Sequence, residues 1–171
     1  FSDGVGAEAF FGLRGRFLPP VNDTGAVARV VAGCSRPDQV RIVYSRYAQS
    51  PWAHHTNTDA ELKLAAYRSI AAGAEPWYSG YDTGFTGYPE GQKAIGRANA
   101  FIVKAGPYLL RDESAARVVV LEREESVMET ELFTEPFRGF TEALDRHRIP
   151  WHAMGLSRIA PEALSAYELV V

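Results

Sequence analysis

Residues 40–79 constrain the fold most, because they contain the signals of a strand, a loop, a helix and a second strand in that order. The run VRIVY is β-branched and aromatic, which favours a strand. Thr58, followed three residues later by Glu61, is the signature of a helix capping box, and Gly73 is typical of the residue just after a helix. The letters PWYS begin the next extended run. A strand–helix–strand unit of this length predicts parallel strands joined by a right-handed crossover.

The rest of the chain repeats this alternation. Small residues around Val5 predict a strand that ends at Glu8, and the apolar spacing that follows predicts a helix over 25–32 ended by Gly33. Later elements are a long amphipathic helix over 89–105, which Gly106-Pro107 ends or kinks, strands over 116–121, 149–154 and 167–171, a helix from Pro136 and a helical turn at Pro161. The pattern places the chain in the α/β class.

Composition excludes several classes of function. The net charge of −3 gives no broad basic surface, so we expect no nucleic acid and no anionic membrane as a partner. No apolar run approaches the roughly 20 residues of a membrane span. Cys34 is the single cysteine, which excludes an internal disulfide, and the apolar residues before it predict a packed thiol.

Aromatic and polar residues crowd the end of the strand at residue 44, the loop that follows it and the next strand. Hydrogen-bond donors beside aromatic faces suit a sugar, and in a barrel such loops form the active site. The predicted substrate-binding residues are Tyr44, Arg46, Tyr47, Trp52, His54, Trp77 and Tyr78. The alternative is an ordinary surface loop that happens to be aromatic.

Two carboxylates are the candidates for catalysis. Glu8 and Asp82 follow apparent strand ends among glycine and aromatic residues, and glycoside hydrolysis needs two carboxyl groups across the scissile bond. The alternative for Glu8 is a solvated or salt-bridged side chain. His54 and His55 are adjacent and point apart on an extended loop, so we expect no metal site. Without a GxGxxG motif or a P-loop we also expect no nucleotide or other cofactor.

Two expectations concern the second half of the chain. The charge run over 122–125 predicts solvated side chains. The final letters LVV read as a buried strand, so we interpret the chain as a fragment of a longer protein. Such a fragment is expected to be inactive and poorly stable alone, because an incomplete barrel leaves strand edges unpaired.

Residues 59–79, DAELKLAAYRSIAAGAEPWYS, carry a family resemblance. The run IAAGA and the strand after it resemble the last helix–strand step of the TIM barrel in family 42 β-galactosidases and related glycosyl hydrolases. The long helix, the charged linker and the run ARVVV resemble the passage into the next domain. The spacing of the later strands is similar to that of the β-galactosidase trimerisation domain.

The resemblance implies an α/β chain in which 1–110 form the C-terminal part of a TIM barrel, 111–115 a linker, and 116–171 the start of a flavodoxin-like, doubly wound domain of the trimerisation type. Glu8 would end the sixth barrel strand and Tyr44 the seventh, and the strands at Glu8, Val43 and Trp77 would lie side by side and parallel. The implied function is that of a β-galactosidase-like glycoside hydrolase with carboxylate acid/base chemistry, homo-oligomeric at full length.

One departure from the family keeps a second hypothesis open. Those enzymes place the nucleophilic glutamate at the end of the seventh strand, where this chain reads VYSR without a carboxylate. The acid/base residue of the family lies on the fourth strand, which this chain does not contain. A non-catalytic carbohydrate-binding or oligomerisation protein on the same scaffold is therefore the alternative.

Overall fold

The architecture of the protein comes from a computed structural model, which describes residues 4–9, 23–36, 38–46, 57–79, 89–109, 114–122 and 135–171. The elements in the first part are β1 (Gly4–Ala9), α1 (Asp23–Cys34), β2 (Val40–Arg46), α2 (Asp59–Ala71), β3 (Glu75–Ser79) and α3 (Pro89–Leu109). They are followed by β4 (Val118–Glu122), α4 (Glu135–Arg146), β5 (Trp151–Gly155), a 3-10 turn (Leu156–Arg158), α5 (Pro161–Leu164) and β6 (Leu169–Val170). The predicted α/β class is confirmed.

The first sheet has the order β1-β2-β3, and both strand pairs are parallel. Val43, in the middle strand, is fully buried and packs against α1. The prediction that the strands at Glu8, Val43 and Trp77 lie side by side and parallel is therefore confirmed.

Helix α2 has the ends that its sequence predicts. The Thr58 hydroxyl accepts a hydrogen bond from the Glu61 amide, and the Glu61 carboxylate accepts one from the Thr58 amide at 2.7 Å, which completes the capping box. Gly73 has a φ of 83°, a left-handed conformation that favours glycine. These two ends set the direction in which the chain re-enters the sheet as β3.

The second sheet has the order β5-β4-β6, again with both pairs parallel. Alternate residues of β4 and β5 face one side, where Val118 and Val120 meet Trp151 and Ala153 in register. Phe137 on α4 packs edge-on against Trp151, with ring centroids 6.1 Å apart. In this sheet the middle strand, β4, comes first in sequence, and β5 and β6 lie on either side of it.

Helix α1 contributes to the cores of both sheets. Val27, Ala28 and Val31 pack against the first sheet, whereas Ala26 and Val30 join the core of the second. A side chain at Gly33 would overlap the carbonyl group of Ala153 in β5. The part of the chain predicted as a barrel and the part predicted as the next domain therefore both have α1 in their cores.

The structure differs from the sequence predictions at three places. Helix α1 passes through Gly33 to Cys34 instead of ending at 32, because Gly33 serves close packing against β5 and not a helix end. Glu122 is 4% exposed, so the first charge of the predicted solvated run is buried. Leu169 and Val170 of β6 are 50% and 42% exposed, so the final strand is not buried as its sequence predicts.

Within the described ranges, no helix combines the length and the apolar character needed to cross a membrane.

Candidate functional site

The described part of the predicted sugar site lies at the carboxyl ends of the first sheet. Glu8 is the register partner of Tyr44, and Tyr44 is the register partner of Trp77. One position from the carboxyl end of β3, Tyr78 pairs with Ser45, and Arg46 pairs with Ser79 at the end of β2. Glu8, a catalytic candidate, therefore lies in one row across the three strands with Tyr44 and Trp77, two of the predicted binding residues.

The two faces of this sheet have different environments. Val43 points toward α1 and is fully buried. Its neighbour Tyr44 points the other way, because side chains alternate along a strand. Trp77 shares that second face and is 59% exposed. The rings of Tyr44 and Trp77 meet edge to face, with centroids 5.4 Å apart and planes at 82°. The result is an aromatic pair with an accessible indole on the face opposite to α1.

Tyr78 lies on the helix-facing side of β3. Its hydroxyl donates a hydrogen bond to the Leu62 carbonyl oxygen at 2.5 Å, and its ring packs beside the cluster of Leu62 and Ala94. Burial raises the pKa of the Tyr78 hydroxyl well above its ordinary value of 10.0. The side chain therefore holds α2 against β3, on the other side of the strand from the aromatic pair.

The remaining predicted site residues lie outside the described part of the chain. They are Tyr47, Trp52, His54 and Asp82. For Glu8 and Arg46, the structure describes the backbone position and not the side chain. The structure thus brings together Tyr44 and Trp77 as side chains, and adds Glu8 and Arg46 as neighbouring positions on the same strand ends.

A polar network that the sequence analysis missed connects α1, α2, α4 and β5. Asp145 accepts hydrogen bonds from Arg29 at 3.2 Å and from the Trp151 indole N–H at 2.9 Å, and Arg68 lies 3.8 Å away. The Arg29 guanidinium also covers the face of the Trp151 ring at 4.6 Å from its centroid. Arg29 and Asp145 are 116 residues apart in sequence, and no local pattern links residues at that separation.

Among the side chains that the structure describes, no three His, Cys, Asp or Glu residues converge in the way that metal ligands do. Comparison with known proteins adds no family: the sequence matches no family model and no curated protein.

Proposed function

We propose that this chain is part of a carbohydrate-active protein of the glycoside hydrolase type, with its sugar site at the carboxyl ends of β1, β2 and β3. The observation that carries this proposal is the Tyr44–Trp77 pair with its exposed indole, which lies in register with Glu8. The carboxyl ends of parallel strands are where barrel enzymes place their active sites.

An exposed indole suits one side of a sugar ring. Pyranose rings present a face of C–H groups, which packs against an aromatic surface, and a rim of hydroxyls, which need hydrogen-bond partners. Tyr44 contacts Trp77 edge-on and so holds the indole in one orientation. Arg46, two residues further along the same strand, is the proposed partner for hydroxyl groups.

The proposed chemistry uses Glu8 and Asp82. One carboxyl group would protonate the leaving oxygen, and the other would act as a base or nucleophile on the opposite side of the bond. Glu8 lies one position before Ala9, the last residue of β1, and its backbone is in register with Tyr44. We propose that its carboxyl group acts on a sugar that stacks on Trp77.

The two sheets support the larger architecture in this proposal. Three consecutive parallel strands joined by helices are what the final part of a (β/α)8 barrel contains. In the second sheet, the first strand lies between the second and the third, which is how the flavodoxin-like order 2-1-3-4-5 begins. A TIM barrel followed by a flavodoxin-like domain of the trimerisation type, with a homo-oligomeric full-length protein, is part of the proposal.

The second candidate function is carbohydrate binding without catalysis, or oligomerisation, on the same scaffold. The sequence of β2 favours it: VRIVYSR contains no carboxylate, although this strand lies between Glu8 and Trp77 in the sheet. A binding protein needs the aromatic pair and does not need a nucleophile.

The test uses the protein that contains this chain, and measures both hydrolysis of an aryl β-galactoside and binding of galactose by calorimetry. Glu8→Gln should abolish hydrolysis and leave binding, and Trp77→Ala should weaken binding by roughly 5- to 150-fold, given about 1–3 kcal/mol for a stacked ring. Phe140→Ala is the control, since Phe140 is an exposed aromatic on α4.

The possible outcomes separate the hypotheses. Hydrolysis that depends on Glu8 supports the enzyme. Galactose binding that depends on Trp77 without any hydrolysis supports the binding protein. Binding that is equal in Trp77→Ala and Phe140→Ala contradicts a sugar site on this face.

A further inference from the structure

A cleft of about 1320 Å³ lies at the end of the first sheet opposite to the proposed sugar site. Its walls come from the start of β2 and β3, the last turns of α1 and α2, the strand β5, and residues near Tyr108 and Tyr167. The volume is larger than the roughly 300–1,000 Å³ of most small-molecule pockets, so the cleft has room for a ligand and water.

Two arginines in this cleft converge on one residue. The Arg41 Nε donates a hydrogen bond to the Ser35 hydroxyl at 2.9 Å, and the Arg158 guanidinium donates one to the Ser35 backbone carbonyl. Both side chains line the cleft. A guanidinium has five N–H donors in a planar fork, so each arginine has donors beyond the one that binds Ser35.

Arg41 and Arg158 differ from Arg29, the third arginine in the cleft, in their partners. Arg29 is neutralised by Asp145 and stacks on Trp151. The ion pairs formed by the described residues include neither Arg41 nor Arg158. Among the described residues that line the cleft, Glu75 is the carboxylate, and it is exposed. Within the described part of the chain, the two guanidiniums that converge on Ser35 therefore have no carboxylate bound to them.

The last turns of α1 and α2 bring backbone carbonyls to the same wall. Their partial negative charge offsets part of the repulsion between the two guanidinium groups. The carbonyl of Ser35 uses one N–H of Arg158, and the Ser35 hydroxyl, which itself donates to the Val31 carbonyl at 2.6 Å, uses one N–H of Arg41. Neutral oxygens satisfy these donors but do not balance two full charges.

We propose that this cleft binds a small molecule through a phosphate group held between Arg41 and Arg158. A phosphate monoester carries close to two negative charges and accepts paired hydrogen bonds from a guanidinium fork, so a single group matches both arginines. The rest of the ligand would lie along Tyr167, whose hydroxyl is hydrogen-bonded to the Nδ1 of His152 at 2.8 Å. This site uses none of the residues of the proposed sugar site.

The experiment is a calorimetric titration of the full chain with phenyl phosphate and, separately, with inorganic phosphate, at constant ionic strength in chloride. Both probes should bind with 1:1 stoichiometry, and phenol alone should not bind. Arg41→Gln and Arg158→Gln should each weaken binding by roughly tenfold or more, because each removes a charge-assisted pair of hydrogen bonds. Arg41→Lys should retain part of the affinity, since it keeps the charge and loses the fork.

Arg138→Gln is the matched control, because Arg138 is exposed on α4, away from the cleft. Circular dichroism of each variant without ligand separates lost binding from lost folding. If a glutamine variant does not fold, the affinity of Arg41→Lys is measured instead. Absence of binding by the wild type overturns the proposal. So does an affinity of Arg41→Gln and Arg158→Gln equal to that of Arg138→Gln or, if a glutamine variant does not fold, an affinity of Arg41→Lys equal to that of Arg138→Gln. Trp77→Ala should leave phosphate affinity unchanged whether or not sugar binding is found.

Discussion

Asp145 on α4 connects side chains from two other helices and one strand. Its side chain is 10% exposed, and it lies against Arg29 from α1, Arg68 from α2 and the Trp151 indole from β5. Removal of one partner from a largely buried ion pair leaves the other charge uncompensated, which costs more than the loss of an exposed pair.

We expect Asp145→Asn to lower the free energy of unfolding by about 2 kcal/mol, which is below the usual cost of a broken buried pair because both arginines are partly exposed. Urea denaturation measures this. Asp38→Asn is the control, because the Arg36–Asp38 pair is exposed and such pairs contribute about 0–1 kcal/mol. Equal effects of the two substitutions would contradict the proposed role of Asp145.

His152 makes stability depend on pH. Burial, and secondarily the charge of Arg29, lowers the pKa of His152 below its ordinary 6.5, and the Tyr167 hydroxyl is the hydrogen-bond partner of its Nδ1. The unfolded chain then binds the proton more tightly than the folded one. The unfolding free energy should therefore be at its full value above about pH 6.5 and decrease as the pH falls through that value toward the folded pKa.

Urea midpoints between about pH 5 and pH 7.5 test this dependence. His152→Gln should flatten the curve over that range, whereas His147→Gln, at an exposed position of the same half of the chain, should leave its slope unchanged. A slope that survives in His152→Gln would assign the pH dependence to another group.

Among the elements, α1 depends on a single glycine for its position. A Cβ at Gly33 would overlap the Ala153 carbonyl of β5, so an alanine there has to push the helix away from the second sheet. Gly96 in α3 has nothing within 4 Å of a Cβ. The two glycines are both helical but face different surroundings.

Gly33→Ala should lower the free energy of unfolding by about 1–3 kcal/mol, the usual cost of overpacking. Gly96→Ala should raise it by roughly 0.5–1 kcal/mol, because alanine has the higher helix propensity. Thermal or urea melts of the two variants measure both changes. A gain in stability from Gly33→Ala would show that α1 does not approach β5 closely.

The elements also show what can be predicted from a sequence of this kind. The α2 capping box and the left-handed Gly73 are local signals, because the atoms involved are a few residues apart, and both were predicted correctly. The parallel sheet followed from the length of the crossover. Gly33 looked like a helix end, since a sequence does not show that a strand from residue 153 will approach it. Glu122 looked solvated for the same reason.

The arrangement of the candidate site residues could be predicted in part. The alternation of side chains along a strand is enough to separate Tyr44 from Val43, and the parallel register then aligns Tyr44 with Trp77. Tyr78 was grouped with them by composition, although its neighbouring position turns it toward α2. The cleft at Arg41 and Arg158 could not be predicted, because these residues are brought together through Ser35 by tertiary packing.

At the scale of the whole molecule, the shared helix α1 couples the two sheets. Val30 belongs to the core of the second sheet, and Val31, the next residue, belongs to the core of the first. Loss of packing in one core should therefore propagate to the other through this helix.

Val120→Ala in β4 tests the coupling, since Val120 is 2% exposed in the core of the second sheet. It should lower the unfolding free energy by roughly 1–3 kcal/mol and accelerate amide hydrogen exchange in β2 as well as in β4. Val103→Ala, at a position 78% exposed on α3, should change neither. Faster exchange confined to the second sheet would show that the two sheets unfold independently.

The proposed sugar site at Tyr44 and Trp77 can be tested by nuclear magnetic resonance of the tryptophan indole N–H signals during a galactose titration. The chain has three tryptophans, and Trp77→Phe assigns the signal of Trp77. That signal should shift with galactose, while the signal of Trp151, which is buried and bonded to Asp145, should stay in place. A Trp77 signal that does not move at saturating galactose would contradict the proposed site.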